Sequence, residues 1–256
     1  MNISATAVCS AVGSVTVTAS PSTPTGLPKG FEAISGVYVL SGSAFCTPQV
    51  ATIAYDKSQV PDLPSQRIWI YEQTGSAWIS LPTTVDTGAG TASAYVQGPG
   101  TYVVLAVSQQ FSDVPEGYWA YGAIGSLLGA GIVSGFPDGT FRPDQVVTRA
   151  EFVKMLVLAL GLQPKLGSVP YTDVDQASWY APYVDAAYAE GALRSLGGAT
   201  FAPNEPMDRE DVAAVLAAGL KLSGQATLHF TDMAQIAPSD LPAVEAVVAA
   251  GYMAGF

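Results

Sequence analysis

The sequence predicts a multidomain chain: an N-terminal all-β sandwich followed by α-helical repeats. Three observations predict it. Short Thr/Val/Tyr/Ile-rich runs alternate with turn clusters up to about residue 108. From Phe111 the apolar residues change to helical spacing. One motif then returns, starting at Phe111, Tyr171 and Phe230. At 256 residues, 49% of them hydrophobic, the chain is long enough for two packed domains.

The strand runs are SVTVTAS, SGVYVLS, VATIAYD, RIWIYEQ, SAWISLP, TASAYVQ and TYVVLAV, separated by turn clusters such as VPDLPS and DTGAGT. Several short strands at this spacing favour a sandwich over residues 1–108. Cys9 and Cys46 both fall here. They are either a structural disulfide in an extracellular setting or two small buried hydrophobes. Alternation puts Trp69 and Tyr71 on one side of their strand; with Trp78 they form either an exposed carbohydrate platform or part of the core.

Composition narrows the partners. Acidic residues outnumber basic ones by 21 to 10, for a formal net charge of −11, so nucleic acid is excluded as the main partner. The longest apolar run, MLVLALGL at 155–162, is too short to insert in a membrane. The N-terminal stretch lacks the basic start of a signal peptide, so an export signal is expected to have been removed or to lie outside this chain.

The first two copies of the repeat keep register through Trp119 and Trp179, Gly131 and Gly191, Phe141 and Phe201, and Arg149 and Arg209. In each, a Ser/Thr-Asp pair precedes a helix. Asp113 and Asp173 read most simply as its N-caps. Gly131 and Gly191 close it as left-handed caps. A turn follows, and the second helix opens on Thr148 with Glu151 three residues later, a capping box; Asp208 and Asp211 repeat it more weakly.

The pattern FSDV…W…GI…G…PDGTFRP…VTRAEF resembles the S-layer homology repeat, with TRAE at 148–151 its most specific element. The first module is similar, more loosely, to the Ig-like or ZU5-like modules found beside such repeats. The resemblance divides the chain into 1–108, a β-sandwich module; 109–168 and 169–227, two repeats; and 228–256, a partial third. It implies a pseudo-threefold helical bundle with the third repeat truncated. It also implies a noncovalent anchor, extracellular and wall-bound, for a peptidoglycan-linked secondary cell-wall polysaccharide that carries pyruvate ketals. The amphipathic helix of the third copy, without its partner helix, implies weak self-association or a mobile C-terminus.

By this resemblance Arg149 and Arg209 read the ketal carboxylate. A guanidinium fork suits a carboxylate, and a helix N-terminus offers free N–H groups beside it. Solvated arginines there are expected to cost little stability when removed. The competing reading pairs them with Glu151 or Asp211. Trp119 and Trp179 offer a face to a sugar ring or belong to the core, and Asp113 and Asp173 contribute to the ligand or only cap. No cofactor or metal is expected: His229 is the sole histidine, and no phosphate loop is visible.

Three functions compete. The first is a structural cell-surface or S-layer protein, not an enzyme. The second is the non-catalytic anchoring and spacer part of a wall-tethered enzyme such as a glycoside hydrolase. The third makes the β-module itself a carbohydrate binder.

Overall fold

The alternating Val, Thr and aromatic runs become strands β1 (Asn2–Ile3), β2 (Val15–Ser20), β3 (Phe31–Ala33), β4 (Val37–Gly42), β5 (Gln49–Ala54), β6 (Ile68–Thr74), β7 (Ala77–Leu81), β8 (Thr83–Asp86), β9 (Thr91–Val96) and β10 (Gly100–Val107). The computed structural model describes residues 2–3, 15–20, 23–27, 30–42, 48–61, 63–167, 169–196 and 198–255. Cys9 and Cys46, and the disulfide expected of them, lie outside these residues.

Among the described residues all strand pairings are antiparallel. A four-stranded sheet has the order β1-β5-β9-β8, and a six-stranded sheet runs β2-β4-β10-β6-β7 with β3 also on β10. Period-two alternation sends Ala51, Ile53, Ala92 and Ala94 of the smaller sheet into one core with Leu40, Ile70 and Val104 of the larger.

β10 departs from alternation. Tyr102 through Val107 are all buried, so this strand is covered on both faces. Val103 and Leu105 join Tyr71 and Trp78 on the second face. Beside them lies helix α1 (Tyr121–Gly129), whose Ile124 and Leu128 pack with Val107, Phe111 and Val114. A helix end leaves carbonyls without partners. Here the Tyr71 hydroxyl donates to the Gly129 carbonyl, and Ser80 Oγ donates to that of Ala130 at 2.7 Å. Arg67, itself buried, sets its guanidinium 4.9 Å from the centre of the Tyr121 ring and donates to the Gln109 carbonyl.

The remaining helices are α2 (Arg149–Ala159), α3 (Ala181–Glu190), α4 (Arg209–Gly219) and α5 (Leu241–Ala249). They keep the period of the sequence: α1, α3 and α5 start at Tyr121, Ala181 and Leu241, each 60 residues apart. Thr148 and Glu151 form the complete capping box of α2. Gly191 ends α3 in the left-handed region, at φ 81°, a conformation that costs a residue with a Cβ. Val153 and Val157 of α2 meet Val184 and Ala187 of α3 in one core. Ala213 and Ala217 of α4 cover Val244 and Val247 of α5.

These contacts overturn the expected fold class. Among the described residues the N-terminal region is mostly β-sheet with five α-helices after it, and the helix contacts within each unit are not those of a pseudo-threefold bundle of repeats. α1 packs on β10 and the turn at Ser65–Arg67, whereas α2 packs on α3 and α4 on α5. The chain divides into two compact units, Met1–Pro143 and Asp144–Phe256, so α1 belongs with the sheets. The physical cause is the continuous apolar run VVLAV: a strand with two apolar faces draws the first helix onto the sheet. No helix among the described residues is long and apolar enough to cross a membrane.

Candidate functional site

Asp113 and Asp173 cap no helix. Asp113 accepts the backbone N–H groups of Phe141 at 2.8 Å and Arg142 at 2.7 Å. Asp173 accepts those of Phe201 at 2.7 Å and Ala202 at 2.8 Å. Arg142 and Ala202 sit at φ 59° and 54°, a region that residues other than glycine rarely adopt. Each carboxylate therefore clamps a left-handed corner that the two copies share although the side chain differs. The Phe141 N–H holds the Asp113 carboxyl below the ordinary range. At Asp173 partial burial opposes ionisation, but the N–H groups of Phe201 and Ala202 outweigh it and the pKa is again lowered. In the first copy the turn leading into the corner is closed by Asp138, which accepts from Thr140 and Arg142 and is pushed down to about 2.

Arg149 does not face an open helix start. Its Nη1 lies 3.2 Å from Asp211 Oδ2, and its side chain is only 16% exposed. Its Nε is buried and has no hydrogen-bond partner, and its guanidinium lies 5.8 Å from the centre of the Phe201 ring. The N–H groups expected to be free are taken. Those of Arg149 and Ala150 donate to the carbonyls of Glu205 and Pro203, both at 3.0 Å, and that of Glu151 to Thr148 Oγ1. Burial raises the Asp211 pKa, with the Arg149 charge pulling the other way. Asp208 makes no side-chain capping bond, so the second copy lacks the capping device expected of it.

Arg209 donates to the Ala254 carbonyl at 2.8 Å. It borders a groove of about 600 Å³ whose charged lining also includes Asp208, Glu210 and Asp232, over an apolar floor with Phe230 and Met253. Carboxylates outnumber cations there, which disfavours an acidic guest.

The tryptophans are outside the core: Trp119 is 87% exposed and Trp179 is 55% exposed. The sequence did not single out Lys154. From α2 its Nζ lies 5.8 Å from the centre of the Trp179 ring and 5.9 Å from that of Tyr183 on α3. Its sequence signal is faint, a lone lysine in a region poor in basic residues. The platform suggested for the β-module is absent: Tyr71 and Trp78 are buried, the latter donating to the Thr25 carbonyl at 2.9 Å, and Trp69 packs against them. Among the described residues no group of three or more His, Cys, Asp or Glu side chains is placed to hold a metal ion.

The β-rich unit is continued by a helical repeat that leaves equivalent tryptophans, Trp119 and Trp179, open to solvent. Residues 110–153 and 170–213 match the S-layer homology domain, so the chain carries two tandem copies of that domain. It is 31% identical over 156 residues to the surface-layer 125 kDa protein of Lysinibacillus sphaericus, covering 60% of this chain and 13% of that one. It is 28% identical over 158 residues to an amylopullulanase of Thermoanaerobacterium thermosulfurigenes, covering 62% of this chain and 8% of the enzyme. A cellulosome-anchoring protein of Acetivibrio thermocellus is 32% identical over 133 residues, covering 48% of this chain and 29% of that protein. The chain thus spans less than a third of each of these relatives. It is an extracellular, wall-associated cell-surface protein whose S-layer homology copies are a non-catalytic anchoring module.

Proposed function

We propose that the two copies hold the chain noncovalently to a secondary cell-wall polysaccharide linked to peptidoglycan, one that carries carboxylates such as pyruvate ketals. The observation that carries this reading is the exposure of Trp119 and Trp179 at equivalent positions, where both rings keep much of their surface open to solvent. Aromatic faces in that state suit the apolar side of a sugar ring. Arg149 contributes to such a ligand only by exchanging the Asp211 carboxylate for one of the polymer. The similarity to an amylopullulanase over the same part of the chain supports a second reading, the anchoring and spacer part of a wall-tethered enzyme. Both readings share the anchor.

Calorimetric titration with isolated wall polysaccharide tests it. Trp119→Ala and Trp179→Ala are each expected to weaken binding by about 0.5–1.5 kcal/mol, the scale of a lost aromatic contact. Unchanged affinity in both variants and in their combination would remove the tryptophans from the site.

A further inference from the structure

We infer that Lys154, set against Trp179 and Tyr183, is a carboxylate-reading subsite for an acidic sugar. The inference rests on the wall-polysaccharide reading above and adds to it the group that recognises charge. The family arginines are otherwise engaged: Arg149 pairs with Asp211 at 3.2 Å, and Arg209 donates to the Ala254 carbonyl beside three carboxylates. Lys154 is different. Among the described residues the ion pairs are Arg142–Asp138, Arg149–Asp211 and Lys221–Glu190, so no carboxylate lies within 4.0 Å of the Lys154 ammonium. It is partly exposed, and two aromatic rings at 5.8 and 5.9 Å hold it in place.

Trp179, 55% exposed, provides ring surface for stacking, and the ammonium over that ring, 5.8 Å from its centre, provides the charge. A saccharide whose carboxylate projects from the ring edge meets both at once. The residue 60 positions on is Ala214, buried in the core, so the second copy has no counterpart and the subsite is single.

The test uses the full chain and two probes, N-acetylmannosamine carrying a 4,6-pyruvate ketal and the same sugar without it. Lys154→Met keeps an apolar stem and removes the charge; Lys154→Arg restores charge. The parent is expected to prefer the acidic probe, and Lys154→Met to weaken that probe roughly tenfold to a hundredfold, the scale of one charged hydrogen bond. Lys154→Arg should recover most of the loss, and the neutral probe should not distinguish the variants. Equal binding of the acidic probe by parent and Lys154→Met overturns the inference. If Trp179→Ala still abolishes that binding, the wall-polysaccharide reading survives; if the parent binds neither probe nor polymer, both fall. Thermal melts of each variant separate lost contact from lost fold.

Discussion

The Arg149 guanidinium meets the Asp211 carboxylate at 3.2 Å, joining the first turn of α2 to the first turn of α4 across 62 residues of chain. Backbone bonds run alongside it: Arg149 N–H to Glu205, Ala150 N–H to Pro203, and Met207 N–H to Val147. The arginine that looked like a ligand reader thus also ties one copy to the next.

Its removal should therefore be felt in stability. A solvated arginine at a helix start costs little to delete, but this one is mostly buried and leaves Asp211 without its counter-charge. Arg149→Ala is expected to destabilise the second unit by about 1–2 kcal/mol, between the values for exposed and buried pairs. Thermal melts check this, and the double variant with Asp211→Ala should lose less than the two single losses added. Full additivity would show that the pair is not coupled.

Asp173 should matter through its two backbone bonds. Asp173→Ala frees the N–H groups of Phe201 and Ala202 and removes what holds the left-handed corner. The expected loss is on the order of 1 kcal/mol, discounted because water reaches the carboxylate. Denaturant unfolding measures it.

The same carboxylates fix the direction of acid sensitivity. Asp113, Asp138 and Asp173 have lowered folded pKa values, Asp138 about 2. The unfolded chain then binds more protons in acid, so their contribution is complete above the ordinary Asp value of about 4 and disappears as pH falls through the lowered values. Asp211, raised by burial, has the opposite sign and is relieved as pH falls through its raised value. Melting temperature is expected to fall between about pH 4 and pH 2, and Asp173→Asn should flatten that limb. An unaltered acid limb in this variant would contradict the clamp.

Tyr71 tests why α1 lies on the sheet. Tyr71→Phe leaves the buried Gly129 carbonyl without its donor, a change worth about 1–3 kcal/mol. Hydrogen exchange along 121–129 should rise in this variant while that of α3 stays unchanged. Equal protection in α1 would show that the hydroxyl does not secure the helix end.

Much of this was legible in the residues. The 60-residue register set by Trp119, Phe141 and Arg149 carries into the helices, whose starts at Tyr121, Ala181 and Leu241 keep that spacing, and Thr148 with Glu151 marked the capping box because both signals are local. What failed was long-range. Asp113 was read as a cap because its partners, Phe141 and Arg142, lie 28 and 29 residues away. The run VVLAV already carried the signature of a strand covered twice, but nothing local says which helix covers it. Lys154 and Trp179 are 25 positions apart in sequence and meet only because α2 packs beside α3.

The most direct measurement is cosedimentation of the purified chain with native cell-wall sacculi. The chain is expected to pellet with them, to stay in solution once the secondary polysaccharide has been extracted, and to lose pelleting when Trp119 and Trp179 are both replaced by alanine with the fold intact by thermal melt. Pelleting that survives both the extraction and the double replacement would contradict anchoring through a polysaccharide held at these tryptophans.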